Sequence, residues 1–267
     1  MKPCSALSLF QVLYSLLIAM FFATSSTMAI AEDAANGPTS LIITYKAKPE
    51  SRAAFRAFMD KQGAAQFALW KKDGVFQNSH LLFTPYAAAS AFDMAVILDF
   101  AHFTDLARWK EIEKTMPGGL PAAALALGAP DSSSLADPFV HAQAPGVDPA
   151  KASYMVSFYQ IVTTRERYQK YVEGYTVPQM KGWIDAGVLT GYSMYLNQGV
   201  NPTWGALLVM EYKDIDALAQ RESVKSGVRQ KLGASDPVWK TWSNDKSGIR
   251  KEVSLNLADA IVPQDQK

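Results

Sequence analysis

Hydrophobic and polar positions alternate along this chain in two different periods. Leu41 to Ala47 is short, apolar and rich in β-branched residues, and it predicts a strand. From Pro49 to Leu69 the period lengthens. Phe55, Phe58, Phe67 and Trp70 stand at helical spacing, and Lys72-Asp73-Gly74 supplies a glycine stop. Gln77 to Thr84 alternates as a strand, and Met94 to Phe100 is a second, more apolar one. Thr104 to Lys114 reads as a helix that Thr104 or Asp105 can cap. A softer stretch over 117–135 leads to Pro138–Gln143, a candidate fourth strand.

The same order then recurs: strand 154–162, helix 165–185, strands 190–197 and 205–212, helix 215–231 and strand 249–257. One constant offset matches Ser40–Tyr45 to Ser153–Phe158, Arg52 to Arg165, and Phe55 and Phe58 to Tyr168 and Tyr171. It also matches Gln66 to Gln179, Trp70 to Trp183 and Gly74-Val75 to Gly187-Val188. After a one-residue slip, Asp99-Phe100 meets Glu211-Tyr212. A repeat this long is a duplicated domain. The expected fold is α+β, two tandem βαββαβ units of the ferredoxin-like plan. The units span 40–144 and 153–258, with a Pro- and Gly-bearing linker at 145–152, a leader at 32–39 and a tail at 259–267.

Residues 1–31 are set apart from the fold. Lys2, the apolar run Leu7–Phe22 and Ala29-Ile30-Ala31 follow the plan of a cleaved secretory signal. The rival is an uncleaved anchor, because the run is near the lower limit of a membrane span. Ser25-Ser26-Thr27 and the Ala-x-Ala triplet favour cleavage. The expectation is an exported protein, periplasmic in a Gram-negative host, with no membrane association after cleavage. Cys4 is the only cysteine, so the remainder must fold without disulfides and has no thiol chemistry. The whole chain carries 26 basic and 25 acidic residues. With no basic cluster, it lacks the footprint of a nucleic-acid binder.

The Trp-x-x-x-Gly-Val that ends each first helix, followed by a hairpin closing in Leu98-Asp99-Phe100 or Met210-Glu211-Tyr212, resembles the dimeric α/β-barrel superfamily. The resemblance covers about 40–258. It implies two ferredoxin-like sheets paired face to face into a barrel, here within one chain that is a monomer or a homodimer. It also implies a small-molecule protein, since members include cofactor-independent monooxygenases, dehydratases, decarboxylases and haem-binding enzymes. Fold is a weak warrant for activity.

Given that fold, alternation sorts each strand into a helix-facing and an interior-facing set. The first strands put Leu41, Ile43 and Tyr45, with Tyr154, Val156 and Phe158, toward the helices. Lys46, Ser157 and Tyr159 then face inward. The second strands turn Asn78, His80, Ser193 and Tyr195 inward. The third strands add Asp99 and Glu211, and the fourth add His141 and Gln143, matched to Ser254 and Asn256. The expected site is therefore His80 as acid/base with Asp99 or Tyr159 assisting. Lys46, Asn78, His141, Ser193, Tyr195, Glu211 and Ser254 line the pocket. The alternative for each residue is an ordinary polar position at a solvated strand end.

Three histidines at 80, 102 and 141 have no metal-ligand spacing, so neither a metal nor a cofactor is predicted. The resemblance keeps haem open, with His80 or His141 as axial ligand. Three readings follow: a metal-independent enzyme acting on an apolar or aromatic compound, a haem-binding protein, and a non-catalytic binding protein with a packed barrel. Trp239 and Trp242 either cover a barrel mouth or seal the core.

Overall fold

In a computed structural model that describes residues 36–87, 92–145, 148–200 and 202–263, eight strands form a closed antiparallel barrel. They are β1 (Thr39–Ala47), β2 (Asn78–Phe83), β3 (Met94–Phe100), β4 (Gly128–Gln143), β5 (Ser153–Ile161), β6 (Leu189–Asn197), β7 (Ala206–Tyr212) and β8 (Arg250–Ala260). Their order around the barrel is β1-β3-β2-β8-β5-β7-β6-β4. Each repeat contributes four strands, and its last strand crosses to pair with the other repeat's second strand. The expected signal segment and Cys4 lie outside the described residues.

Helices cover the outside of the sheet. In the first repeat α1 (Arg52–Phe58) and α2 (Ala64–Lys72) are joined by a π-helical turn, Met59–Gly63. α3 (Leu106–Glu113) and the short α4 (Ala122–Leu125) follow. The second repeat has the same device: α5 (Arg165–Tyr171), a π-helical turn at Val172–Thr176 and α6 (Val177–Asp185). Both helices stop as the sequence indicates, at Gly74 (φ 71°) and Gly187 (φ 74°), conformations that favour glycine. The expected helix over 215–231 is instead two, α7 (Ile215–Ala219) and α8 (Arg221–Ser235), and a further helix, α9 (Pro237–Asp245), follows. The side chains of Asp214 and Asp236 cap α7 and α9.

Three apolar cores result. Tyr45, Phe55, Phe67, Trp70 and Trp109 fill the first repeat's helix–sheet interface. Tyr159, Tyr168, Tyr171, Trp183 and Trp239 fill the second's, and Trp242 packs against them, so this tryptophan pair seals the core. The third core is the barrel interior itself, where Ile42, Leu82, Ile97, Val156, Tyr195, Leu207 and Val209 are all buried. Burying each of these aliphatic side chains contributes about 1.5–3 kcal/mol. The barrel centre is therefore a packed core rather than an open lumen.

Strand register corrects two sequence expectations. Ser40 stands opposite Asp99, and Tyr154 opposite Glu211. The structural counterpart of Ser40 is thus Tyr154, not Ser153. The helices keep the original offset, so the one-residue difference lies in the loop between first strand and first helix. A one-residue slip exchanges the faces of a strand. Tyr154, Val156 and Phe158 consequently enter the barrel, while Tyr159 turns under the helices. The second correction concerns the fourth strands. Ala136 pairs with Ser40, and Ala258 with Tyr154, so Ser254 corresponds to Ser132 and not to His141. β4 also begins ten residues earlier than expected. Its Ser-rich and Pro-bearing first half is held by pairing with β1 rather than by propensity, and Pro138 sits at a bulge.

The two closures of the barrel are unequal. β4 runs beside β6 for seven residue pairs, from Ala136 with Asn197 to Gln143 with Gly191. β8 meets β2 in only two, Leu82 with Ala260 and Phe83 with Asp259. One further backbone bond, Ile261 N–H to the Leu81 carbonyl (2.8 Å), ends that contact. The β2 edge from Asn78 to His80 is therefore not covered by β8.

Candidate functional site at the weakly closed end of the barrel

A cleft of about 470 Å³ opens where β8 leaves β2. Ala64, Phe67 and Ala68 of the first repeat's helix and Ile261-Val262-Pro263 form apolar walls. Asn78, His80, Gln143, Tyr154 and Glu211 supply the polar surface. A cavity of this size with apolar walls on one side and convergent polar groups on the other can take a small organic ligand.

The polar groups are organised around two carboxylates on β3 and β7. Ser40 Oγ donates to Asp99 (2.7 Å), and Tyr195 lies close enough to that carboxylate to feel its charge. Glu211 accepts from Gln143 Nε2 (3.3 Å) and Thr190 Oγ1 (3.2 Å), and Tyr154 stands opposite it on the neighbouring strand. Ser40 and Tyr154 hold equivalent positions, each opposite the carboxylate of its own repeat. Burial first, then the neighbouring carboxylate, raises both phenols: Glu211 acts on Tyr154 and Asp99 on Tyr195. Both stay protonated donors.

His80 lies half-buried in the cleft wall. Burial lowers its pKa. Asp99 and Glu211 pull the other way, while His141 and Lys71 add to the lowering. Desolvation outweighs the two carboxylates, so His80 is neutral at physiological pH. Its tautomer follows from two bonds. Lys71 Nζ donates to Asn78 Oδ1 (3.0 Å), which turns the Asn78 amide N–H toward His80 Nε2 (3.1 Å). Nε2 is then the acceptor and the proton sits on Nδ1. Lys71 thereby positions the histidine through Asn78.

The structure gathers most of the sequence-predicted residues. His80, Asn78, Asp99, Glu211, Ser193, Tyr195 and His141 share this end of the barrel. His141 is exposed and bonds through Nδ1 to Ser193 Oγ (2.9 Å). Three residues separate from them. Tyr159 lies beneath the helices with the Arg250 guanidinium 3.8 Å above its ring, so the slip in register removes it from the site. Lys46 and Ser254 do face inward, but at the opposite mouth. There they line a smaller pocket of about 240 Å³ with Thr44, Phe158 and Trp204. Tyr154 and Ser40 were missed. No sequence signal marks either, because the one-residue difference that makes them equivalent lies in the loop after the first strand. Among the described residues no group of three or more His, Cys, Asp or Glu is arranged to hold a metal ion.

No family model and no curated protein matches the chain. Solved structures do. A candidate monooxygenase from Fusobacterium nucleatum superposes with a TM-score of 0.50 at 13% identity, covering 85% of this chain and 93% of that one. An anthrone oxidase-like protein gives 0.50 at 11% identity, over 84% and 91%. A haem-binding protein from Thermus thermophilus gives 0.47 at 8%, over 84% and 91%, too low a likeness to argue from. The fold is that of the dimeric α/β-barrel superfamily. In this chain a tandem duplication supplies both halves of the barrel.

Proposed function

We propose that this chain is an exported protein that binds a small apolar or aromatic molecule in the cleft at His80 and moves a proton on it without a metal. The observation that carries this reading is a neutral histidine of fixed tautomer, set in the wall of a cleft with one apolar side, beside two tethered carboxylates. A ligand with an acidic O–H or activated C–H reaches Nε2 by displacing one amide hydrogen bond from Asn78. The imidazole takes the proton, and Asp99 and Glu211 stabilise the imidazolium that results. The ligand's conjugate base meets protonated donors, the Tyr154 phenol foremost. The anthrone oxidase-like structure suggests a polycyclic phenolic or anthrone-type compound as the first probe.

The test is deuterium exchange at the acidic methylene of an anthrone, followed by NMR with the purified protein. Wild type should accelerate exchange, and His80→Ala should lose about 10²-fold or more of that acceleration. An unchanged rate in His80→Ala would remove the histidine from the mechanism. Titration of the same protein with an anthrone while its intrinsic fluorescence is followed separates binding from catalysis. Saturable binding without exchange would favour a non-catalytic binding protein.

A haem reading rests on His80 and His141 lying at one barrel end. The surroundings do not suit it. The barrel centre is filled by Val156, Tyr195 and Leu207, and the charged groups of the barrel strands near His80 include the carboxylates Glu211 and Asp99, which would not complement an anionic porphyrin. Haem titration should therefore give no saturable Soret change that depends on either histidine.

A further inference from the structure

Every buried side-chain donor or acceptor without a hydrogen-bond partner, among the described residues, lies in the second repeat. They are Ser157 Oγ, the Tyr168 and Tyr171 hydroxyls, Thr176 Oγ1, Trp183 Nε1, Arg221 Nε, and Arg250 Nε and Nη1. Such groups are costly to leave unmet, and a cluster of them calls for a partner. The first repeat shows what the same interface looks like when it is only a core. Phe55 and Phe58 stand where Tyr168 and Tyr171 do, and Gly63 where Thr176 does. Gly128, paired with the last residue of β1, stands where Arg250 pairs with the last residue of β5. A Cβ at Gly128 would lie 2.9 Å from the Phe55 ring, so hydrocarbon fills that place completely.

The second repeat has thus exchanged a phenylalanine–glycine contact for tyrosine and arginine. The guanidinium of Arg250 rests on the Tyr159 and Tyr171 rings, 3.8 and 5.6 Å from their centroids. The groups acting on it most strongly after burial are the phenols of Tyr159, Tyr171 and Tyr168, not a carboxylate. Arg250 is half-buried, with Nε and Nη1 wholly out of solvent; desolvating a cation without an acidic partner is expensive, and the ring faces offset only part of that cost. Further positive charge lies close by. Burial, then Arg250, Arg229 and Lys225, hold Lys246 below the ordinary lysine range, with only Glu252 opposing.

We propose that the helix–sheet interface of the second repeat is a binding site for a small molecule's oxyanion, a carboxylate or phosphate, held by Arg250 with the Tyr168 and Tyr171 hydroxyls. The site is distinct from the His80 cleft and does not depend on the function proposed there. Guanidinium N–H groups and phenol hydroxyls are the donors that such an anion needs, and aromatic walls exclude competing water.

The test uses the whole protein. Thermal unfolding and calorimetric titration are run with benzoate, with inorganic phosphate, and with sodium chloride at equal ionic strength. One of the two oxyanions should raise the melting temperature saturably beyond the chloride control, and which one does so distinguishes carboxylate from phosphate. Affinity should fall at least tenfold in Arg250→Gln and in the double variant Tyr168→Phe/Tyr171→Phe. A second double variant, Tyr168→Phe/Arg250→Gly, restores the first repeat's contact. It should fold and no longer respond to the anion. The proposal is overturned if neither oxyanion exceeds chloride, or if folded variants bind as wild type does.

Discussion

Asp99→Ala is the perturbation that tests most sharply how the cleft is built. The carboxylate accepts from Ser40, 2.7 Å away, and that donor is buried. Truncation leaves its hydroxyl without an acceptor, at about 1–3 kcal/mol. For a chain of this size that lowers the melting temperature by roughly 2–12 °C, at about 2–4 °C per kcal/mol. Asp99→Asn keeps an acceptor oxygen for Ser40 and should cost much less. A double-mutant cycle of Ser40→Ala with Asp99→Ala, measured by urea unfolding, should give a coupling of about 1–3 kcal/mol, as for a hydrogen bond to a charged group. The asparagine variant has a second readout. Asp99 is the strongest of the charges that oppose the lowering of the His80 pKa by desolvation, so Asp99→Asn should move the His80 titration, followed by NMR, further down. Additivity within about 0.5 kcal/mol, together with an unmoved His80, would refute the view that these groups form one unit.

Other expectations follow from the same geometry. His80 has a folded-state pKa below its unfolded value, so its contribution to stability is complete above about pH 6.5 and is lost as pH falls toward the folded value. His80→Gln should flatten that part of the stability–pH curve, and an unaltered curve would contradict the assignment. Asn78→Asp replaces the amide that donates to Nε2 with a negative charge, so NMR titration should show the His80 pKa rising. Tyr212 is pushed up to about 12, by burial first. Its stabilising effect is present below pH 10 and is lost as pH rises toward 12, so tyrosinate absorbance from this residue should appear only at that end of an alkaline titration. Gly128→Ala drives a methyl to within 2.9 Å of the buried Phe55 ring. It should cost about 1–3 kcal/mol by overpacking, and combining it with Phe55→Ala should recover part of that loss.

The periodicity of the chain determined a good deal by itself. Aromatic residues every third or fourth position and a glycine stop defined the long helices. The duplicated acid–aromatic strand ends defined the hairpins, and together these gave the ferredoxin-like order and the paired barrel. Alternation also turned His80, Asp99, Glu211, Ser193 and Tyr195 inward correctly, because a strand has only two faces. Tertiary structure decided what alternation leaves open. A one-residue difference in a loop carries no hydrophobic signature, yet it exchanged Tyr159 for Tyr154 in the barrel. β4 could not be read from propensity, since its Ser-rich first half is a strand only because β1 pairs with it. Which barrel end a residue occupies depends on register between strands far apart in sequence, and that register sent Lys46 and Ser254 to the mouth opposite His80. Its last consequence is the unequal closure of the barrel, where β8 stops after two pairs with β2 and leaves His80 at an open edge.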